Sequence, residues 1–157
     1  MNEPSLKAGF TLLEIIITLA VISLIAGGTF VIFSSFMTNT YLEDTTQEIV
    51  HALRKANTNA TARLYDLRWG VYFDDTALSF TFFAGDSYAT RSTQYDEVTN
   101  LPTSVTFGPI SLNGGGKEIV FTKIVGGTTQ YGSLEMRNTN SKQHTLNINQ
   151  LGQIEVN

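Results

Sequence analysis

The sequence predicts an α+β protein: a long N-terminal helix, membrane-spanning in its first half and an amphipathic stalk in its second, followed by a small antiparallel β-sheet head. Three observations predict it. Residues 15–33 carry no charge. From Leu42 to Leu64 the apolar side chains recur at helical spacing. After Leu67 the apolar period drops to two.

The first helix is read from its solvent. A bilayer core of ~30 Å takes about 20 helical residues, so the uncharged run is long enough to span. Its polar members, Thr18, Ser23 and Thr29, can bond their own helix backbone. The run continues to Phe36 without an Ala-x-Ala ending, unlike a cleaved signal peptide, so the segment reads as an anchor that stays. Lys7 precedes the run and no positive cluster follows it closely, which puts the N-terminus in the cytoplasm. At the front edge stands one carboxylate, Glu14. A charge at the margin of hydrocarbon is costly and is usually functional; its plain alternative is a bilayer-edge residue reaching for water.

The second half of the helix is amphipathic. Leu42, Ile49, Leu53, Ala56, Ala60 and Leu64 share one face, while Glu43, Asp44, Glu48, Arg54, Lys55 and Arg63 lie between them. No Pro interrupts residues 10–67, and the paired Gly27-Gly28 is the soft point.

The strands follow from alternation: Trp69/Val71/Phe73, Leu78/Phe80/Phe82, Val105/Phe107, Ile119/Phe121, Leu134/Met136, Leu146/Ile148 and Ile154/Val156. Turn chemistry separates them at Asp74-Asp75, Gly85-Asp86, Gly108-Pro109, residues 113–116, Gly126-Gly127 and Gly152. Residues 86–102 are polar and read as a loop with a short strand at Tyr88. The aromatics read as core, with Phe83 and Tyr88 the candidates for exposure.

Composition excludes several functions. There are 10 basic and 14 acidic residues, and beyond residue 37 the balance is still acidic, so a phosphate-driven nucleic-acid binder is not expected. With no Cys there is no disulfide, thiolate metal site or thiol chemistry. His51 and His144 stand alone on their elements and read as structural. Asp74, Asp75 and Asp86 do not have the spacing of a calcium loop. Gly114-Gly115-Gly116-Lys117 lacks the Ser or Thr and the earlier Gly of a phosphate loop. No nucleophile, base and orienter set is present, so no enzyme, cofactor or metal is expected.

Gly9-Phe10-Thr11-Leu12-Leu13-Glu14, with the apolar run behind it and a short lysine-bearing leader before it, resembles the processing site of type IV pilins and type II secretion pseudopilins. The resemblance implies cleavage by a prepilin peptidase after Gly9, N-methylation of Phe10, and an assembly role for Glu14. It divides the chain into a leader at 1–9, a transmembrane and assembly helix at 10–37, a stalk at 38–67 and a head at 68–157. A looser likeness, in Ala52-Leu53-Arg54-Lys55-Ala56, residues 69–74 and residues 146–154, is to the H-type minor pseudopilins and minor pilins, whose head has two small antiparallel sheets. Two features depart from relatives. Val31 stands where many major pilins have a membrane-helix Pro. Gly152-Gln153-Ile154-Glu155 has no arginine where some DNA-uptake minor pilins have several.

The implied function is a minor structural subunit of a pilus or pseudopilus, held in the cytoplasmic membrane with its head outside, and then carried at the cell surface or in the periplasm. Its implied partners are the prepilin peptidase, other pilins or pseudopilins and an inner-membrane assembly platform. The rivals are a DNA-uptake (competence) minor pilin and a single-pass anchored binding domain that never polymerises.

Overall fold

A computed structural model describes residues 9–157, with residues 28–32 described in backbone only. Residues 1–8 of the expected leader, with Lys7, lie outside the described residues, as does any side-chain surrounding of Gly28. The chain divides into two compact units, residues 1–36 and 37–157. Helix α1 spans Leu12–Thr61. Among the described residues no helix is long and apolar enough to cross a membrane.

In the first unit the helix is apolar on every side. Ile15, Ile16, Ile17, Leu19, Val21, Ile22, Leu24 and Ile25 are all exposed. Three consecutive isoleucines point about 100° apart, so no single face collects them. Thr18 and Ser23 donate their hydroxyls to the carbonyls of Ile15 (2.9 Å) and Leu19 (2.8 Å), which leaves little polar surface between the apolar side chains.

In the second unit the helix is one-faced. Leu42, Ile49, Val50, Leu53, Ala56 and Ala60 are buried, while Glu43, Asp44, Glu48, Arg54 and Lys55 are exposed. Thr45 and Thr46 are buried too, and each hydroxyl is satisfied at 2.7 Å by the carbonyl four residues earlier. The helix ends at Thr61, short of the Leu64–Leu67 end that the apolar spacing predicts. Arg63, Tyr65 and Asp66 take left-handed backbone (φ 53°, 56° and 55°), and Leu64 is exposed. No Gly or Pro marks that reversal in the sequence.

Eight strands follow: β1 Trp69–Asp74, β2 Ser79–Ala84, β3 Glu97–Asn100, β4 Val105–Leu112, β5 Glu118–Phe121, β6 Gly132–Asn138, β7 Gln143–Ile148 and β8 Ile154–Val156. They form two antiparallel sheets, ordered β3-β2-β1-β5 and β4-β6-β7-β8. The chain crosses to the second sheet at β4, returns for β5 and crosses again at β6, so neither sheet is a continuous segment. Their inner faces share a core with the helix: Trp69, Val71, Phe73, Phe82, Ile119 and Phe121 from the first sheet, and Leu134, Met136, Leu146 and Ile148 from the second. Phe73 and Phe107 meet edge to face at 5.9 Å.

Three sequence expectations are corrected here. Gly108-Pro109 is not a turn. It lies within β4, where the register against β6 shifts between Phe107 and Ile110. β4 is an edge strand, and a bulge on an edge is where a residue without an N–H is tolerated. Residues 86–102 hold no strand at Tyr88. They form two single 3-10 turns, Tyr88–Thr90 and Thr93–Tyr95, and then β3.

The third correction concerns Phe83, which is fully buried. All six residues of β2 are buried, because residues 85–96 fold back over the outer face of the first sheet. Tyr88 stacks on Tyr72 at 3.9 Å and meets Phe83 edge-on at 5.6 Å. The Arg91 guanidinium lies 3.7 Å from the Tyr88 ring and binds Asp96 at 2.7 Å. The Tyr88 N–H donates to Glu118 Oε2 at 2.6 Å. Beneath this cover Gly70 leaves room for the Phe83 ring: a Cβ there would stand 2.5 Å from the Ile119 carbonyl oxygen and 3.0 Å from Phe83 Cζ.

Candidate functional site

The N-terminal segment is built on a helix cap. Thr11 precedes the first helical residue, and its Oγ1 accepts the Glu14 N–H at 3.2 Å. Thr-x-x-Glu is the sequence pattern of an N-cap, so this role of Thr11 is legible in the sequence although the family motif assigns it none. The cap fixes where the helix begins. It places Glu14 in the first turn, where the helix dipole favours a carboxylate.

Gly9 and Phe10 stand just before that cap as non-helical chain. Both are exposed, Phe10 to 79%. A Cβ on Gly9 would meet no atom of the described residues within 4 Å, so their packing does not require glycine there. The same holds for Gly27. The segment thus presents an accessible non-helical peptide at 9–10, a fixed helix start, and an acid one turn in.

The other sequence-flagged clusters are dispersed. Asp74 Oδ1 accepts the N–H groups of Thr76 (3.0 Å) and Ala77 (2.9 Å) and closes the β1–β2 turn. Asp75 pairs with Lys117 at 2.5 Å, and Asp86 with Arg68 at 3.5 Å. The three carboxylates therefore face different partners. The Lys117 ammonium holds Asp75 below the ordinary aspartate value and is itself raised above the ordinary lysine value by the same bond. Asp66 is lowered by hydrogen bonds from Arg63 and then Lys123. Gly114 and Gly115 take left-handed backbone between β4 and β5, as a tight turn requires. His51 is exposed. His144 lies against the helix, with Nδ1 3.5 Å from Thr46 Oγ1 and Nε2 3.7 Å from Glu43 Oε2.

Comparison with known proteins bears on both units. Residues 4–30 match the prokaryotic N-terminal methylation motif. Among curated proteins none matches the sequence. The minor pseudopilin EpsH of the type 2 secretion system of Vibrio cholerae is a similar solved structure, with a TM-score of 0.53 at 13% identity, covering 74% of this chain and 95% of that one. At that identity the likeness establishes a shared fold. The chain thus carries a prokaryotic N-terminal methylation motif at residues 4–30, and it shares the fold of a minor pseudopilin.

Proposed function

We propose that the chain is a minor, H-type pilin-like subunit, cut by a prepilin peptidase between Gly9 and Phe10, methylated on the Phe10 amine and built into a pilus or pseudopilus. Its partners are that peptidase, other pilins or pseudopilins and an inner-membrane assembly platform. Before assembly it sits in the cytoplasmic membrane with the head outside. It is the substrate of an enzyme and a building block rather than a catalyst.

The observation that carries this reading is the exposed all-round apolar helix with one acid in its first turn. A helix apolar on every side is stable only when covered, by lipid or by other helices. Hydrolysis of the Gly9–Phe10 bond frees an α-amine four residues before Glu14. Buried among packed helices, an amine and a carboxylate from neighbouring chains are better paired than left alone in a low dielectric. Pairing also fixes the axial stagger, because only one register brings amine to acid. The contact is head to tail and does not close, so it propagates as a helical filament. Ala20, Ala26 and Gly27 allow close helix approach. In this scheme Gly27 and Gly28 also supply the flexibility that a membrane-helix Pro gives other pilins.

Mass spectrometry of the N-terminal peptide from sheared filaments tests the processing step. An N-methylated Phe10 terminus is expected. A chain that keeps its leader, or begins elsewhere, overturns the proposal.

A further inference from the structure

The turn between β4 and β5 carries the chain from the second sheet to the first, and it reads Asn113-Gly114-Gly115-Gly116. The Gly115 N–H donates to the Leu112 carbonyl at 3.0 Å and closes a β-turn, with Gly114 third in it at φ +87°. Residues 113–116 are all exposed. A Cβ on Gly114, Gly115 or Gly116 would meet no atom of the described residues within 4 Å, so nothing among them packs over the turn. The Asn113 side chain makes one tie, from Nδ2 to the Thr129 carbonyl at 2.9 Å. The Gly114 N–H has no partner among the described residues.

These features expose a carboxamide to its own backbone. The nitrogen that follows Asn113 is in water and free of a hydrogen bond, and with no Cβ on Gly114 it is unshielded. The other asparagines differ. None of them precedes a glycine. Asn138 and Asn140 flank the β6–β7 turn, yet the N–H after each is engaged, Thr139 with the Ser104 carbonyl at 3.1 Å and Ser141 with the Asn138 carbonyl at 3.0 Å. Asn39, Asn57 and Asn59 lie within α1, where the following N–H belongs to the helix ladder.

We infer that Asn113 is a site of spontaneous deamidation. The Gly114 nitrogen attacks Asn113 Cγ, forming a C–N bond and giving its proton to solvent. The carboxamide nitrogen takes a proton from water and leaves as ammonia, and a cyclic imide remains across residues 113 and 114. Water then opens the imide at either carbonyl, which yields aspartate or a backbone-shifted isoaspartate. One water is consumed and one ammonia released, with no change of oxidation state. The Thr129 bond holds the carboxamide, so the attack proceeds from local openings of the turn. The structure also sets the consequence. A carboxylate donates no hydrogen bond, so the product loses the tie to Thr129. Glu118 lines the same hollow as Asn113, and its Oε2 accepts the Tyr88 N–H at 2.6 Å. The new charge therefore arises beside the carboxylate that anchors the cover over Phe83.

The test is peptide mass mapping of the full chain, held in detergent micelles at mildly alkaline pH and sampled over weeks. The tryptic peptide 92–117 should gain, at Asn113, the mass of an acid in place of an amide. It should do so in two isomeric forms and roughly tenfold faster than any other asparagine. The rate should rise with pH, and rise again when urea unfolds the chain. Asn113→Gln, which needs a larger ring, should abolish the change at this position. Asn113→Asp, one of the two products, should lower Tm by about 4 °C and speed amide exchange at Tyr88. An intact Asn113 after another asparagine has converted overturns the inference. So does conversion at 113 without isoaspartate, which would mean direct hydrolysis. A rate that urea leaves unchanged, or an Asn113→Asp chain with wild-type Tm and Tyr88 exchange, overturns the roles given to the Thr129 and Glu118 contacts.

Discussion

Replacing Glu14 separates the two lives of the N-terminal helix. Within one chain the change is small. The N-cap bond runs from the backbone N–H of residue 14 to Thr11 Oγ1, and any side chain keeps it. The lost interaction of the carboxylate with the helix dipole is worth about 0.3–1 kcal/mol. Membrane insertion becomes easier, since a neutral side chain costs less to desolvate. In the proposed filament the balance reverses. The Phe10 amine of a neighbour is left buried with no counter-charge, and removing one partner of a buried pair costs ~3–5 kcal/mol. At ~1.4 kcal/mol per tenfold, incorporation should fall by roughly two to three and a half orders of magnitude. Glu14→Gln, which still accepts a hydrogen bond, should lie at the lower end and Glu14→Ala at the upper. The assay is the ratio of subunit in sheared filaments to subunit in membranes, with the N-terminal peptide mass showing that cleavage still occurred. Correctly cleaved Glu14→Ala at the wild-type ratio would refute the electrostatic account of assembly.

Other outcomes follow from the head. Phe83→Ala empties the fully buried position beneath Tyr88 and should cost about 3–5 kcal/mol, near 12–20 °C in Tm for a unit of this size; a shift of a few degrees would mean the cover collapses into the space. Gly152 has φ +78°, and a Cβ there would stand 2.1 Å from the Gly126 carbonyl oxygen, so Gly152→Ala should loosen the loops around the helix end and speed amide exchange at Ile124, whose N–H caps Ala60 at 3.3 Å. Unchanged exchange would show that the two loops are not coupled.

The Asp75–Lys117 pair gives a pH signature. Asp75 is lowered in the folded state, so its contribution is complete above the ordinary value of 3.8 and is lost as pH falls below it. Lys117 is raised, so its contribution is complete below 10.5 and is lost as pH rises above it. Asp75→Asn should flatten both limbs of unfolding midpoint against pH, modestly because the pair is exposed. Limbs identical to wild type would count against the pair.

Much of the architecture is legible along the chain because one-sided burial imprints a period. The helical spacing of Leu42, Ile49, Leu53, Ala56 and Ala60, and the alternation of β6 and β7, each report a single buried face. Where burial is two-sided or the backbone is irregular, the pattern fails. β2 is buried on both faces, its outer face by the aperiodic segment 85–96 that follows it, so Phe83 carries no periodic mark of its burial. Gly108-Pro109 has the chemistry of a turn and the position of an edge bulge. The left-handed residues after Thr61 include no glycine.

By itself the sequence determined the N-terminal motif. Gly9, Phe10, Thr11 and Glu14 fall within six residues, and the uncharged run behind them needs no fold to be recognised. It also determined that a helix would be followed by antiparallel strands. Only the tertiary structure decided which strands share a sheet, what covers Phe83, and that Ser111, Ser133, Asn147 and Glu155 line up across four strands. Those four positions are far apart along the chain. Strand register, set by the packing of the opposite face on the core, is what makes them neighbours.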